Sequence, residues 1–169
     1  MSPNNYGRTL IELISALAIL SILITTALPN LQNLLENNAR AQAVNQMLAA
    51  LHHARSDAVF SHSIVTLCAG QSECSGSQQW RGDIMVFRNQ DANGQMDAGD
   101  ELIHQARIAP EFSWKWNRAN GHIQFKPDGA TRALNGTLTL CKDGVAQHQI
   151  VVNLAGRVRT QSPRRGASC

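Results

Sequence analysis

The sequence predicts an α+β fold, with one long N-terminal helix packed on antiparallel β-sheets. Three observations predict it. The run Thr9–Leu28 holds twenty residues, and Glu12 is its single formal charge. Past Pro29 the apolar residues Leu31, Leu34, Leu35, Val44, Met47, Leu48 and Leu51 recur at helical spacing, with Gln, Asn and Arg between them. After residue 62 the pattern changes to alternation, and Gly, Asn and Asp begin to punctuate the chain.

The apolar run comes first. Twenty helical residues at 1.5 Å each span about 30 Å, the thickness of a bilayer hydrocarbon core. An ionisable side chain within such a span costs at least about 2.5 kcal/mol, so Glu12 marks a function. A secretory signal would carry a basic segment and a small-residue cleavage site. The leading MSPNNYG has no Lys or Arg, and no Ala-x-Ala follows Leu28. A buried core helix of this length would lack a polar face, and a plain membrane anchor leaves Glu12 unexplained. Pro29 removes a backbone hydrogen bond and is expected to bend the helix, which continues to about Phe60. The first half is expected in the membrane or a filament core, and the amphipathic half on the globular domain.

The strands follow. Ile64–Leu67, Asp83–Phe87, His122–Phe125, Thr137–Leu140 and Gln149–Val152 read as short strands, and Lys126-Pro127-Asp128-Gly129 reads as a turn. No internal repeat or low-complexity tract interrupts them. Beyond the apolar run the chain has about 130 residues, enough for a core of its own.

Charge is unevenly placed within a net +3. Residues 1–105 hold five Lys/Arg against nine Asp/Glu, or −4, and residues 106–169 hold ten against three, or +7. Such asymmetry points to a polyanionic partner. The four cysteines are Cys68, Cys74, Cys141 and Cys169. Behind an exported anchor they meet an oxidising compartment, and they lack both Cys-x-x-Cys and His at zinc spacing. Disulfides are therefore expected rather than a metal centre. Of three connectivities the favoured one joins Cys68 to Cys74 in a short loop and Cys141 to Cys169 across the tail.

The C-terminal "GRVRTQSPRRGASC" carries Arg157, Arg159, Arg164 and Arg165 and no acid. If Val152–Arg159 is extended, Arg157 and Arg159 project to the same side. The guanidinium fork suits phosphate oxygens, and several such groups give DNA affinity that is sequence-independent and weakened by salt. A solvated basic tail is the plainer alternative.

Other motifs are read against their ordinary roles. In "NQDANGQMDAGD", residues 89–100, Asn89, Asp91, Asn93, Gly94, Asp97 and Asp100 fall near the positions of a calcium loop. Asn at the first position and Asp at the last are weak substitutes, and an Asn-Gly hairpin turn accounts for the same residues, so no metal is assigned. Trp114 and Trp116 share one face of an expected strand and read as core rather than as a base-stacking platform. Arg81-Gly82-Asp83 leads directly into a strand, and His52, His53 and His62 read as solvated. No nucleophile elbow, HExxH or phosphate loop occurs, so neither an enzyme nor a cofactor is expected.

Gly7, then Thr9-Leu10-Ile11-Glu12-Leu13, with Pro29 further on, resembles the N-terminus of a type IV prepilin. Ala54-Arg55-Ser56-Asp57-Ala58, Asp91–Asp97 and Gly156-Arg157-Val158-Arg159 extend the resemblance to the GspH/FimT group of minor pilins and pseudopilins. It implies the pilin architecture and cleavage between Gly7 and Arg8 by a prepilin peptidase, followed by N-methylation. Arg8 stands where the family usually has Phe. The resemblance also implies that Glu12 pairs with the terminal ammonium of a neighbouring pilin, a partner that makes a buried carboxylate tolerable. Residues 1–7 then form a leader, 8–28 the transmembrane and assembly helix, and 29–169 the exported domain with the rest of the helix. The expected location is the inner membrane as a single-pass protein, then a pilus on the cell surface.

In FimT-like members a Gly-Arg-x-Arg motif implies binding of extracellular double-stranded DNA for natural transformation, and Gly156, Arg157 and Arg159 match it. Two further readings stay open: a structural minor pilin that primes assembly, and a pseudopilin of type II secretion.

Overall fold

The computed structural model describes residues 10–132 and 135–169. It opens with α1, Leu10–Ser61, a helix of 52 residues that runs through Pro29. His62, with φ 53°, ends the helix in the left-handed conformation that commonly follows a helix C-terminus. The chain divides into two compact units, one up to Ala39 and one from Arg40.

In the first unit the large apolar side chains from Leu10 to Leu35 are exposed, and the helix is long and apolar enough to cross a membrane. In the second unit the helix buries Ala43, Met47, Ala50, Leu51, Ala54 and Ala58, a stripe at three- and four-residue spacing. Its many alanines lend the stripe little bulk, whereas Met47 and Leu51 fill the core.

Nine strands build two antiparallel sheets. The first orders β4 (Glu101–Arg107), β3 (Asp83–Arg88), β1 (Val65–Ala69) and β6 (His122–Phe125). The second orders β2 (Gln79–Trp80), β5 (Ser113–Trp116), β7 (Gly136–Lys142), β8 (Val145–Val152) and β9 (Val158–Gln161). Central β1 is buried at every position, as a strand covered on both faces must be. Trp80, Trp114 and Trp116 are each no more than 1% exposed, and Trp80 lies opposite Trp114 in the β2–β5 pair. These indoles are core and offer no platform to a base. Gly136 is required beside them, because a Cβ there would stand 2.1 Å from the ring of Trp116.

Four differences from the sequence reading have physical reasons. β4 carries polar residues and a largely exposed pattern, so backbone pairing with β3 rather than hydrophobicity makes it a strand. β2 has two residues, too few to show a period. Residues 152–159 are not continuously extended: the chain reverses between β8 and β9, which pair with Val151 opposite Arg159. Asn93-Gly94 does not close a two-residue hairpin either, since β3 and β4 are joined by the long connection 89–100.

Two disulfides join Cys68 to Cys74 and Cys141 to Cys169. The first lies beside Met85, Phe87 and Met96. The second fastens the last residue of the chain to β7.

Candidate nucleic-acid interface

The reversal between β8 and β9 is built by few atoms. Asn153 N–H donates to the carbonyl of Arg157 at 3.0 Å, and Asn153 Oδ1 accepts from Arg157 N–H at 2.8 Å. The Asn153 carbonyl accepts from Gly156 N–H at 2.9 Å. Gly156 has φ 72°, and a Cβ on it would stand 1.9 Å from the carbonyl oxygen of Gly129. Only glycine meets both demands. Arg55 of α1 secures the neighbouring turn: its Nε donates to that same Gly129 carbonyl at 2.9 Å, and one terminal nitrogen reaches the Ala155 carbonyl at 3.5 Å. Gly156 and Arg55, two residues that carry the family resemblance, thus hold the turn from which Arg157 projects.

Arg157, Arg159 and Arg164 line one groove of about 620 Å³ with Arg118. Arg157 immediately precedes β9 and Arg159 lies within it, and both line the same groove. Arg164 follows β9, where its N–H donates to Gln149 Oε1 of β8 at 3.2 Å. Arg118 arrives from the end of β5. Its Nε donates to the Asn135 carbonyl at 2.6 Å and a terminal nitrogen to Asn135 Oδ1 at 2.8 Å. A smaller pocket of about 290 Å³ shares Asn117, Thr137 and Arg164 with the groove and adds Lys115. Lys115 Nζ lies 3.1 Å from Ser168 Oγ, in the tail that Cys169 anchors. Arg165 is exposed on the turn Arg164–Ala167, outside the groove lining.

No acid lines either pocket, and among the described residues none of the four groove arginines forms an ion pair. Four guanidinium groups on a concave surface can take the phosphate oxygens of a polyanion with charge-assisted, bidentate hydrogen bonds. Sequence reading missed Arg118 and Asn153. Arg118 carries no local signal, because it joins the tail only through the pairing of β5, β7, β8 and β9.

The other singled-out residues are apart from this groove. Glu12 lies exposed in the first turn of α1. Gly7 and Arg8 fall outside the described residues. Asp83 of the Arg-Gly-Asp tripeptide is held by Arg107 at 2.8 Å, which keeps its carboxyl below the usual range. His52, His53 and His62 are exposed, and the ring of His53 lies 5.6 Å from that of His104.

A long N-terminal helix on two antiparallel sheets, apolar in its first half, defines a type IV pilin fold. The family model described as "Type II transport protein GspH" matches residues 43–156, and the chain belongs to that family. It is a minor pilin or pseudopilin of the GspH/FimT kind. Two crystal forms of the type IV minor pilin FimU from Pseudomonas aeruginosa share the fold. One has a TM-score of 0.61 at 20% identity, covering 79% of this chain and 95% of FimU. The other has a TM-score of 0.58 at 18% identity, covering 76% and 96%. Among curated proteins no relative matches.

Proposed function

We propose that this chain is a minor pilin of a type IV pilus that binds extracellular double-stranded DNA for uptake in natural transformation. The observation that carries the reading is the groove of Arg118, Arg157, Arg159 and Arg164, concave and without an acid in its lining. Groups held in place by a rigid turn and a disulfide lose less entropy on binding than a free basic tail does. Phosphate contacts dominate, so affinity is largely independent of sequence and falls with salt. The apolar half of α1 anchors the chain in the inner membrane before assembly, with the globular domain on the exported side. A prepilin peptidase cuts between Gly7 and Arg8, and Glu12 then pairs with the new terminal ammonium of a neighbouring pilin.

The test uses the full-length chain in detergent micelles, titrated into a labelled duplex at two salt concentrations. Wild type binds and weakens with salt. Arg157→Gln combined with Arg159→Gln loses at least about tenfold in affinity while its thermal unfolding is unchanged. Equal binding by the two proteins overturns the DNA reading.

One observation favours a second reading. The family's description names type II transport, which fits a pseudopilin of type II secretion. Deleting the gene then abolishes protein secretion and leaves transformation intact.

A further inference from the structure

The connection between β3 and β4 has an unfilled requirement. It runs from Asn89 to Asp100, and it places oxygen-bearing residues at its first, third, fifth, ninth and twelfth positions, with Gly94 sixth. Gly94 has φ 84° and lies against the ring of His122, where a Cβ would clash. The carboxylates of Asp91 and Asp97 converge on one point. The Asn93 Nδ2 amide stands between them, donating to Asp91 Oδ2 at 2.8 Å and to Asp97 Oδ2 at 2.6 Å. Among the described residues neither aspartate has a Lys or Arg partner.

A separate observation comes from Asn89. Its side chain is buried, with 1% exposure, and it reaches into the loop. Nδ2 lies 3.4 Å from Asn93 Oδ1 and 3.3 Å from the Gln95 carbonyl, whereas Oδ1 has no hydrogen-bond partner among the described residues. A buried carboxamide oxygen left without a donor is unfavourable. Turning the Asn89 amide over puts Oδ1 where Nδ2 now faces Asn93 Oδ1 and the Gln95 carbonyl, and a cation within the loop then supplies the missing partner.

We propose that residues 89–100 bind one calcium ion. Asn89 Oδ1, the carboxylates of Asp91 and Asp97, the Asn93 side chain after rotation to present Oδ1, and the Gln95 carbonyl form the oxygen set. Hard oxygen ligands from side chains and backbone, in an irregular set, suit calcium rather than magnesium. Asp100 takes a different part. Its two oxygens accept from the backbone N–H groups of Gln90 at 2.9 Å and Asp97 at 3.0 Å, which closes the loop rather than facing its centre. The ion would stiffen the connection beside Met96, which packs against the cluster containing the Cys68–Cys74 disulfide.

The full-length chain in micelles, stripped with chelator, is titrated with calcium by calorimetry, and its thermal unfolding is followed with calcium, with magnesium and with EDTA. One calcium binds per chain with a dissociation constant of about 1 mM or below. Calcium raises the melting temperature, and equal magnesium does so much less. Asp91→Asn combined with Asp97→Asn loses both responses. Asn89→Asp keeps every other ligand and adds a charge at the first position, so it tightens calcium binding by about tenfold and lowers stability in EDTA. Absence of a calcium response in wild type up to about 10 mM overturns the proposal. So does a folded double variant that still binds, or an affinity unchanged by Asn89→Asp.

Discussion

The two sheets treat arginine in opposite ways. In the first sheet Arg88 donates to both oxygens of Asp57 on α1, at 2.9 and 2.8 Å, and also to Glu101 on β4. Arg107 holds Asp83 with two bonds of 2.8 and 3.1 Å. In the groove of the second sheet, Arg157, Arg159 and Arg164 have no acidic partner among the described residues, and Arg118 is held only by the neutral Asn135. An arginine already saturated by carboxylates is a structural tie. An arginine without a carboxylate partner keeps charged donors that another anion can take. The +7 balance of residues 106–169 is consistent with this difference, but charge count alone does not express it.

The most damaging change should be Gly156→Ala, because it attacks the turn and the groove together. A Cβ against the Gly129 carbonyl at positive φ should cost about 1–3 kcal/mol, read by chemical denaturation. Duplex binding should fall with it, since Arg157 projects from that turn. Stability loss with unaltered binding would separate the turn from the receptor. Next, Arg88→Gln should invert the groove variants. It leaves Asp57 partly buried without its cation, lowering the melting temperature by several degrees, and duplex affinity should stay at the wild-type value. An effect on DNA would mean that the first sheet takes part. Arg118→Gln should act more gently, weakening the duplex about threefold and reducing the salt slope by about 1. An unchanged slope would remove Arg118 from the phosphate-contacting set.

The smallest effect is the response to acid. Burial chiefly holds His122 below its ordinary value of 6.5, with Arg132 acting in the same direction. The unfolded chain therefore takes up that proton first, so stability rises with pH across this range and is lost as pH falls below 6.5. Asp57 behaves as a depressed carboxylate, held down chiefly by its hydrogen bonds from Arg88. Its contribution is complete above 3.8 and disappears as pH falls through the lowered value. Denaturation at about pH 7.5, 5.5 and 3.5 tests both steps. His122→Gln should shrink the first step to the part that His148, likewise held below 6.5 chiefly by burial, contributes, and leave the second.

Much of this architecture was legible in the residues. Alternating apolar positions marked Thr137–Leu140, and the short continuous apolar run Ile84–Phe87 marked a strand that the structure buries on both faces. Helical spacing likewise marked Met47 and Leu51 as core positions. β4 was not legible, since an edge strand such as Glu101–Arg107 needs little apolar burial and takes its form from a partner strand. In the groove, Arg157, Arg159 and Arg164 were legible as a cluster because they are near neighbours in the chain. Arg118 and the Asn153 clamp were not, because nothing local connects residue 118 with residue 157. The loop 89–100 lies between these cases: its oxygen-bearing residues could be read off, but the burial of Asn89 and its unpartnered oxygen could not.

The sequence by itself determined the long helix, the change to a sheet domain beyond it and the basic character of the C-terminal half. Each depends on the order of residues along a single segment, where periodicity and composition act directly. Only the tertiary structure decided which arginines are paired and which are free. The fold sets Arg118, just past β5, in one groove with Arg157 and Arg159, and places Asp57 of α1 beside Arg88, so a charge is tied or left free by what lies within hydrogen-bonding reach.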